Sequence, residues 1–151
     1  MNILNKLYLI FFTRKINFFN TESFSLCFPI NWRKSIGPKK SFIFFEETTN
    51  YGFIIEEYCS QKVTADAILD IYAEKHSDCI IKPIEEIIND NVVLKWIFDY
   101  KNEKVLEYKR LIIGDKVILD ITYSIQNNLS TQKNSEAMEK LESIMNSIKL
   151  K

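Results

Sequence analysis

A chain of 151 residues has the length of a single globular domain, and its 46% hydrophobic and 26% charged residues are an ordinary composition for a folded protein. Its 20 basic and 20 acidic residues cancel, which excludes the basic excess typical of general nucleic-acid binders and argues against attachment to anionic lipid by charge alone. The three cysteines form no CxxC pair, so we expect reduced thiols and a cytoplasmic protein.

The first fifteen residues, MNILNKLYLIFFTRK, are interpreted as an N-terminal extension to one domain over residues 16–151. The apolar run is too short to span a membrane as a helix, and no small-residue cleavage site follows it. Leu7, Leu9 and Phe11 alternate as in a strand, whereas Ile3, Leu7 and Phe11 equally fit one face of a helix. An additional packed element, an unstructured or wrongly assigned start, and a targeting or membrane-facing role all stay open.

The stretch FSLCFPINW predicts a strand with one buried face. Phe24, Leu26 and Phe28 alternate and are expected to face the core. Pro29 ends the pattern because proline cannot donate a hydrogen bond to a sheet ladder. Trp32 is then expected to cover the end of the core, and the alternative is that its ring lines a ligand groove.

A basic segment, RKSIGPKK over residues 33–40, follows and is predicted to be a loop because it contains a Gly–Pro pair. It is either a solvated loop or a contact for an acidic partner. Tyr51 lies in a predicted turn and is therefore expected to be exposed. Because tyrosine is enriched at protein interfaces, it is a candidate contact for a partner. The candidate partner-binding residues are therefore Arg33, Lys34, Lys39, Lys40, Tyr51 and Trp32.

The rest of the chain predicts a hairpin, a helix, a four-stranded meander and a terminal helix. Thr64 is the predicted N-cap of the first helix, and Asn134 or Ser135 that of the second, after a polar loop over residues 124–133. Pro83 breaks the first meander strand, which is typical of an edge. The predicted ranges are 41–45 and 52–59 (hairpin), 65–76 (helix), 79–88, 92–100, 104–113 and 117–123 (meander). One antiparallel sheet of six to seven strands, covered by helices, is the simplest way to bury these faces.

No pattern for catalysis, cofactor binding or metal binding stands out. His76 and Cys79 have an H-x-x-C spacing, but a structural zinc site needs four ligands, and Cys27 and Cys59 lie on distant predicted strands. There is no GxSxG elbow and no Gly-rich phosphate loop. Adjacent carboxylates on a strand point to opposite faces, so we expect solvated or edge-protecting groups at Glu46-Glu47, Glu56-Glu57 and Glu85-Glu86. We therefore predict no enzyme, no cofactor and no metal.

The order of these features resembles the PsbP-like superfamily, which includes the Ran-binding Mog proteins, and is most similar to a small uncharacterised bacterial family within it. The residues that carry the likeness are FSL-x-x-P-x-x-W at residues 24–32, ILDITYS at 118–124 and LESIMNSIK at 141–149. The likeness covers residues 16–149. It implies an α+β fold, an antiparallel sheet between helices in an α/β/α sandwich. Members of the superfamily mostly bind other proteins, and no catalytic residues carry over.

The sequence thus favours a non-catalytic module that binds another protein, as an adaptor, chaperone or immunity-type inhibitor. We expect it to bind neither nucleic acid nor a membrane, and the sequence does not predict its oligomeric state. The alternative is a small-molecule or lipid-binding protein with a groove lined by Trp32, Trp96 and Tyr123, for which a pocket of roughly 300 Å³ or more is expected. An enzyme of unfamiliar type is the third hypothesis, and it requires perturbed ionisable groups clustered in a cleft.

Overall fold

The computed structural model describes residues 16–49, 51–75, 84–100, 105–126 and 131–151. Within these ranges the chain forms ten strands and two helices. The first five strands are β1 (Ile16–Asn20), β2 (Phe24–Pro29), β3 (Trp32–Ile36), β4 (Ser41–Glu46) and β5 (Gly52–Cys59). The remaining elements are α1 (Ala65–Lys75), β6 (Ile84–Ile88), β7 (Asn91–Tyr100), β8 (Val105–Ile113), β9 (Val117–Gln126), α2 (Thr131–Asn146) and β10 (Lys149–Leu150).

Seven strands form one antiparallel sheet in the order β3-β4-β5-β9-β8-β7-β6. The strands from β6 to β9 are consecutive neighbours, because short turns can join only antiparallel strands. Strand β9 pairs with β5 through a register that places Ile55 opposite Ile121. The predicted hairpin and meander are thereby joined in one sheet, and β3 and β6 are its edges among the described strands.

A second, three-stranded sheet has the order β1-β2-β10 and was not predicted as a separate layer. Its central strand is the predicted FSLCFP strand, and Phe24, Leu26 and Phe28 are buried as expected. The ring of Phe28 packs edge-on against Phe44 of the large sheet at 5.2 Å between centroids. The expectation of a single sheet is therefore wrong. Strand β2 pairs with β1 and β10, which come from the two ends of the domain, and not with β3 or β4.

Two hydrophobic clusters lie on opposite faces of the large sheet. The first cluster is packed between that sheet, the small sheet and α2, whose Leu141 and Ile144 are almost fully buried. The second cluster lies under α1 and joins Ile68 to Trp96 and Phe98. Each fully buried large apolar side chain stabilises the fold by about 1.5–3 kcal/mol. The architecture is an α+β sandwich, as predicted.

Both helices and the strand pattern agree with the sequence prediction in most places. The backbone N–H of Ala67 donates to Thr64 Oγ1 at 3.2 Å, which confirms Thr64 as the N-cap of α1. Neither of the helices that the structure describes is long and apolar enough to cross a membrane. The predictions for residues 1–15 and for the strand part at 79–83 fall outside the described residues.

Several local predictions are wrong. Part of the predicted loop over residues 33–40 is strand β3, because pairing with β4 stabilises a polar segment that has no strand pattern of its own. The predicted polar loop over residues 124–133 is shorter, since β9 extends to Gln126 and α2 begins at Thr131, and the predicted N-caps Asn134 and Ser135 therefore lie inside the helix. Glu46, expected to be solvated, is 5% exposed at the end of β4.

The Glu46 carboxylate is stabilised by hydrogen bonds and a nearby positive charge. Asn31 Nδ2 donates to Oε1 at 3.0 Å, Thr49 Oγ1 donates to Oε2 at 2.6 Å, and Lys140 Nζ of α2 lies 3.6 Å from Oε1. Burial opposes ionisation of Glu46, but these groups outweigh it and keep its pKa below the ordinary value. The carboxylate therefore ties α2 to the β4 end of the sheet.

Candidate functional site

The four basic residues predicted to contact a partner are divided between an edge strand and a turn. Arg33 and Lys34 lie in β3, while Lys39 and Lys40 form the turn before β4 with positive φ angles of 54° and 56°. Lys34 Nζ lies 4.6 Å above the ring of Phe19, which is a cation–π arrangement. The structure therefore keeps the four charges at one edge of the sheet but does not place them in one loop.

Two of these charges already have carboxylate partners within the chain. Arg33 Nε donates to Glu47 Oε1 at 2.7 Å, and both side chains are exposed. Lys40 Nζ lies 3.4 Å from Glu57 Oε1. An acidic partner at this edge would have to compete with these internal carboxylates, so a contact with such a partner stays a prediction.

Trp32 and Tyr51, the aromatic members of the predicted partner-binding set, belong to the first hydrophobic cluster. Trp32 is 2% exposed, and its ring centroid lies 5.9 Å from that of Phe53. Tyr51, expected to be exposed, is only half-exposed and packs against the same cluster. Trp32 is thus part of the core, as the scaffold interpretation of FSLCFPINW predicts, and its ring is not available to a partner at the surface.

The described residues offer no metal centre. No group of three or more His, Cys, Asp or Glu side chains within the described ranges is arranged to hold a metal ion. The predicted H-x-x-C pair, His76 and Cys79, lies outside those ranges. Cys27 and Cys59 are free thiols in the structure.

A buried polar cluster lies on the α1 face of the large sheet. Tyr72 Oη donates to Asp120 Oδ2 at 2.6 Å, and Lys109 Nζ donates to Tyr72 Oη at 2.7 Å. Lys109 Nζ also contacts Thr122 Oγ1 and lies 3.5 Å from Asp120 Oδ1. Burial, followed by the charge of Asp120, raises the pKa of the Tyr72 hydroxyl well above its ordinary value. Lys109 and Asp120 are 6% and 1% exposed, so this cluster is closed and anchors α1 to the sheet.

A second polar cluster lies on the opposite, α2 face. Arg110 Nη2 donates to Glu142 Oε2 at 2.6 Å, and Tyr123 Oη donates to Glu142 Oε1 at 2.9 Å. Arg110 Nη1 also donates to Asn146 Oδ1 at 3.2 Å, whereas Arg110 Nε has no hydrogen-bond partner among the described residues. Burial and the charge of Glu142 raise the pKa of Tyr123. This cluster anchors α2 to β8 and β9.

A cavity of about 210 Å³ lies beside this second cluster, between α2 and strands β6 to β9. Lys95 and Glu142 border it, and Lys95 Nζ lies 2.8 Å from Glu86 Oε2 and 3.9 Å from Glu142 Oε2. The other residues that line it are, apart from Lys109, apolar or aromatic: Ile84, Trp96, Ile97, Tyr108, Tyr123 and Met138. Because Ile84 is 61% exposed and also lines the cavity, the cavity reaches solvent at the β6 edge.

This cavity corresponds only partly to the predicted groove between sheet and helix. Tyr123 and Trp96 border it as predicted, although the Trp96 ring packs in the second hydrophobic cluster. Trp32 does not line it. The cavity is also smaller than the roughly 300 Å³ that marks the lower end of small-molecule sites. Sequence reasoning missed Met138 and Glu142 as residues that line a cavity. Their spacing of four residues places them on one face of α2, but this indicates a shared cavity only once α2 is known to face β7 and β8.

Strand β6 is the edge of the large sheet next to this cavity. It pairs with β7 on one side, and no described strand pairs with its other side. Its first four residues are exposed, and Ile87 is 67% exposed. An exposed apolar strand edge offers unpaired backbone donors and acceptors to any extended segment that can pair with it. The sequence signal for this edge is IEEII, together with the preceding Pro83.

The fold, and not the sequence, connects this chain to known proteins. No family model matches the sequence, and no curated protein matches it. The solution structure of cyanobacterial PsbP (CyanoP) from Synechocystis sp. PCC 6803 is similar with a TM-score of 0.65 and 7% identity, over 91% of this chain and 94% of that one. A Bacteroides thetaiotaomicron VPI-5482 protein is similar with a TM-score of 0.57 and 15% identity over 85% of this chain, which spans only 45% of that protein.

At these identities the likeness shows the fold alone. The structure has the PsbP-like fold that the three sequence segments predict. Both comparisons leave the role of the chain open, because one fold of this kind serves many functions.

Proposed function

We propose that this protein is a non-catalytic binding module that accepts an extended segment of another protein along the open edge of β6. The observation that carries the proposal is the exposure of Ile84 and Ile87 on an edge strand. Added strands gain affinity from backbone hydrogen bonds and specificity from side-chain contacts. Binding of other proteins is also what the PsbP-like resemblance implies, and a cytoplasmic location belongs to the same proposal.

The charge at this edge indicates the chemistry of the partner. Glu85 and Asp90 are exposed at β6 and its turn, whereas Glu86 is already bound to Lys95. Two exposed carboxylates beside exposed isoleucines complement a segment in which basic residues alternate with apolar ones. We therefore propose a basic, apolar strand-forming segment as the partner.

Other functions have less support. Lys109 and Asp120, the core of one polar cluster, are buried and closed, which is unlike the cleft that an enzyme requires. The cavity beside Glu142 is small for a drug-sized or lipid ligand. The basic β3 edge remains a second candidate surface, but its charges on Arg33 and Lys40 are already paired.

The test uses the full chain, tagged at its C-terminus and purified from its own host, with two matched variants. Ile87→Lys changes the β6 edge, and Ile36→Lys changes an isoleucine of equal exposure, 67% against 68%, on the β3 edge. Loss of one buried isoleucine contact lowers affinity by about 10-fold to 100-fold. We expect a stoichiometric protein that is released by Ile87→Lys and retained by Ile36→Lys.

Capture of a protein is not sufficient support. The proposal predicts that the captured protein is lost when the β6 edge is changed and kept when the β3 edge is changed. Equal retention in both variants, or release only by Ile36→Lys, would contradict it. Concentration-dependent self-association that Ile87→Lys abolishes would make the occupant a second copy of this chain, and would also contradict it.

A further inference from the structure

We propose that the cavity beside Ile84 is the specificity pocket of the β6 edge, and that it holds one large apolar side chain, preferably aromatic, from the docked segment. The inference rests on the proposed function, because the docked strand delivers this side chain. It specifies, in addition, which class of residue the partner carries at one position of its docked segment.

The sheet geometry brings the side chain of a docked residue to the cavity. Ile84 pairs with Lys95 across β6 and β7, and both side chains border the cavity on the α2 face. A strand added to β6 lies about 4.8 Å further out, and every second side chain of that strand points to the α2 face. If the docked residue beside Ile84 has a long or aromatic side chain, that side chain therefore reaches the cavity.

The volume suits a side chain better than a free ligand. A cavity of about 150 Å³ lined by apolar side chains already accepts benzene. At about 210 Å³, this cavity has room for a benzyl or indole ring or a long aliphatic chain. It is open at Ile84, so a ring attached to a docked backbone can enter from the edge without any movement of α2.

The lining favours an apolar occupant because the charged groups that border the cavity already have partners within the chain. The Glu142 carboxylate accepts hydrogen bonds from Arg110 and Tyr123, and Lys95 is held by Glu86. A polar side chain buried there would lack partners, which destabilises the complex. Tyr108 stacks on Tyr123 with ring centroids 5.1 Å apart, and aromatic rings favour a further aromatic neighbour at similar distances.

The experiment selects binders to the purified full chain from a displayed library of random peptides. We expect enriched peptides to share basic residues and one position restricted to Phe, Tyr, Trp, Leu or Met. Met138→Trp fills the cavity from α2, and selection against this variant should change that position to Ala, Gly or Ser while the basic positions persist. Ile71→Trp, at an exposed position of α1 on the other face, is the control and should leave the preference unchanged.

Binding of one enriched peptide to all variants then separates the two proposals. Met138→Trp should weaken the selected aromatic peptide by about 10-fold or more, and an Ala version of the peptide should lose much less on the same substitution. If Ile87→Lys does not weaken any enriched peptide, or if no peptide is enriched, the proposed function fails. If Ile87→Lys weakens the peptides but Met138→Trp leaves their apolar preference unchanged, only the pocket inference is overturned.

A destabilised Met138→Trp variant does not leave the question open. Ile97→Ala enlarges the same cavity from β7, where Ile97 is half-buried. We expect it to shift the preference in the opposite direction, from Leu or Phe toward Trp. An unchanged preference in this folded variant would overturn the inference.

Discussion

Two neighbouring residues of β8 show how differently the two faces of the sheet use charge. Lys109 points to the α1 face, where it contacts Asp120 and Tyr72 and is only 6% exposed. Arg110 points to the α2 face, where it binds Glu142 at the border of a cavity that reaches solvent. Both cations fix a helix to the sheet. Among the described residues, the α2 face combines this anchor with a cavity that reaches solvent, so exposure and cavity volume, more than charge, locate the candidate binding site.

Removal of the carboxylate on the closed face should have the largest effect. Asp120→Asn leaves the Lys109 ammonium buried without its counter-charge, and we expect a loss of about 3–5 kcal/mol in the free energy of unfolding. Urea denaturation of the purified variant measures this loss. Asp115→Asn, at an exposed turn, is the control and should change stability by less than about 0.5 kcal/mol.

The double variant Lys109→Met with Asp120→Asn tests the cause. Because neither charge is then left alone in the core, we expect it to regain part of the stability lost in Asp120→Asn. A loss below about 1 kcal/mol for Asp120→Asn would show that Lys109 does not depend on this carboxylate.

The open face should respond less to the equivalent change. Glu142→Gln keeps the shape of the side chain but removes the charge that faces Arg110, and one third of the Glu142 side chain is in solvent. We expect a loss of about 1–3 kcal/mol, which is smaller than that of Asp120→Asn because water can screen the Arg110 charge. Glu139→Gln, exposed on the same helix, is the matched control. An equal or larger loss than in Asp120→Asn would remove the distinction between the two faces.

The pH dependence of the free energy of unfolding should show the contribution of another buried charge, the Glu46 carboxylate on the α2 face. The folded-state pKa of Glu46 lies below its unfolded value, so its ionisation stabilises the fold above the unfolded pKa near 4.5. This contribution is lost as the pH falls through the folded-state pKa. Glu46→Gln should therefore be less stable than the natural chain at pH 7, by about 1–2 kcal/mol, and should lose less stability on acidification.

The control for this measurement is Glu47→Gln, since Glu47 is exposed and forms its ion pair with an exposed arginine. Chemical denaturation at a series of pH values between neutrality and the acid range gives both curves. Parallel curves for Glu46→Gln and the natural chain would mean that another carboxylate dominates the acid response.

The two sheet edges should be equivalent in stability, and this is the smallest expected effect. Ile87→Lys and Ile36→Lys replace side chains of nearly equal exposure, so each should change the free energy of unfolding by less than about 0.5 kcal/mol. Thermal denaturation of the pair checks this equality. A marked destabilisation by Ile87→Lys alone would mean that the isoleucine packs within the chain, and loss of partner binding in that variant would then have a structural cause.

The sequence by itself determined the local elements, because alternation and helical spacing are properties of short segments. It predicted β2 with its three buried residues, the N-cap at Thr64 and the meander that ends in β9. The resemblance of three segments to the PsbP-like superfamily also predicted the fold, and each of these segments contributes buried side chains to the first hydrophobic cluster. The sequence did not predict β3, whose residues have no strand pattern and depend on β4 for pairing.

Only the tertiary structure decided which charges are buried and where the surface opens. Alternation places Lys109 and Arg110 on opposite faces, but their partners Asp120 and Glu142 come from elements 11 and 32 residues further along the chain. The cavity has the same origin, since it is the volume that α2 and β6 to β9 leave unfilled when they pack. Unfilled volume depends on the mutual position of distant elements, and no local pattern in the sequence records it.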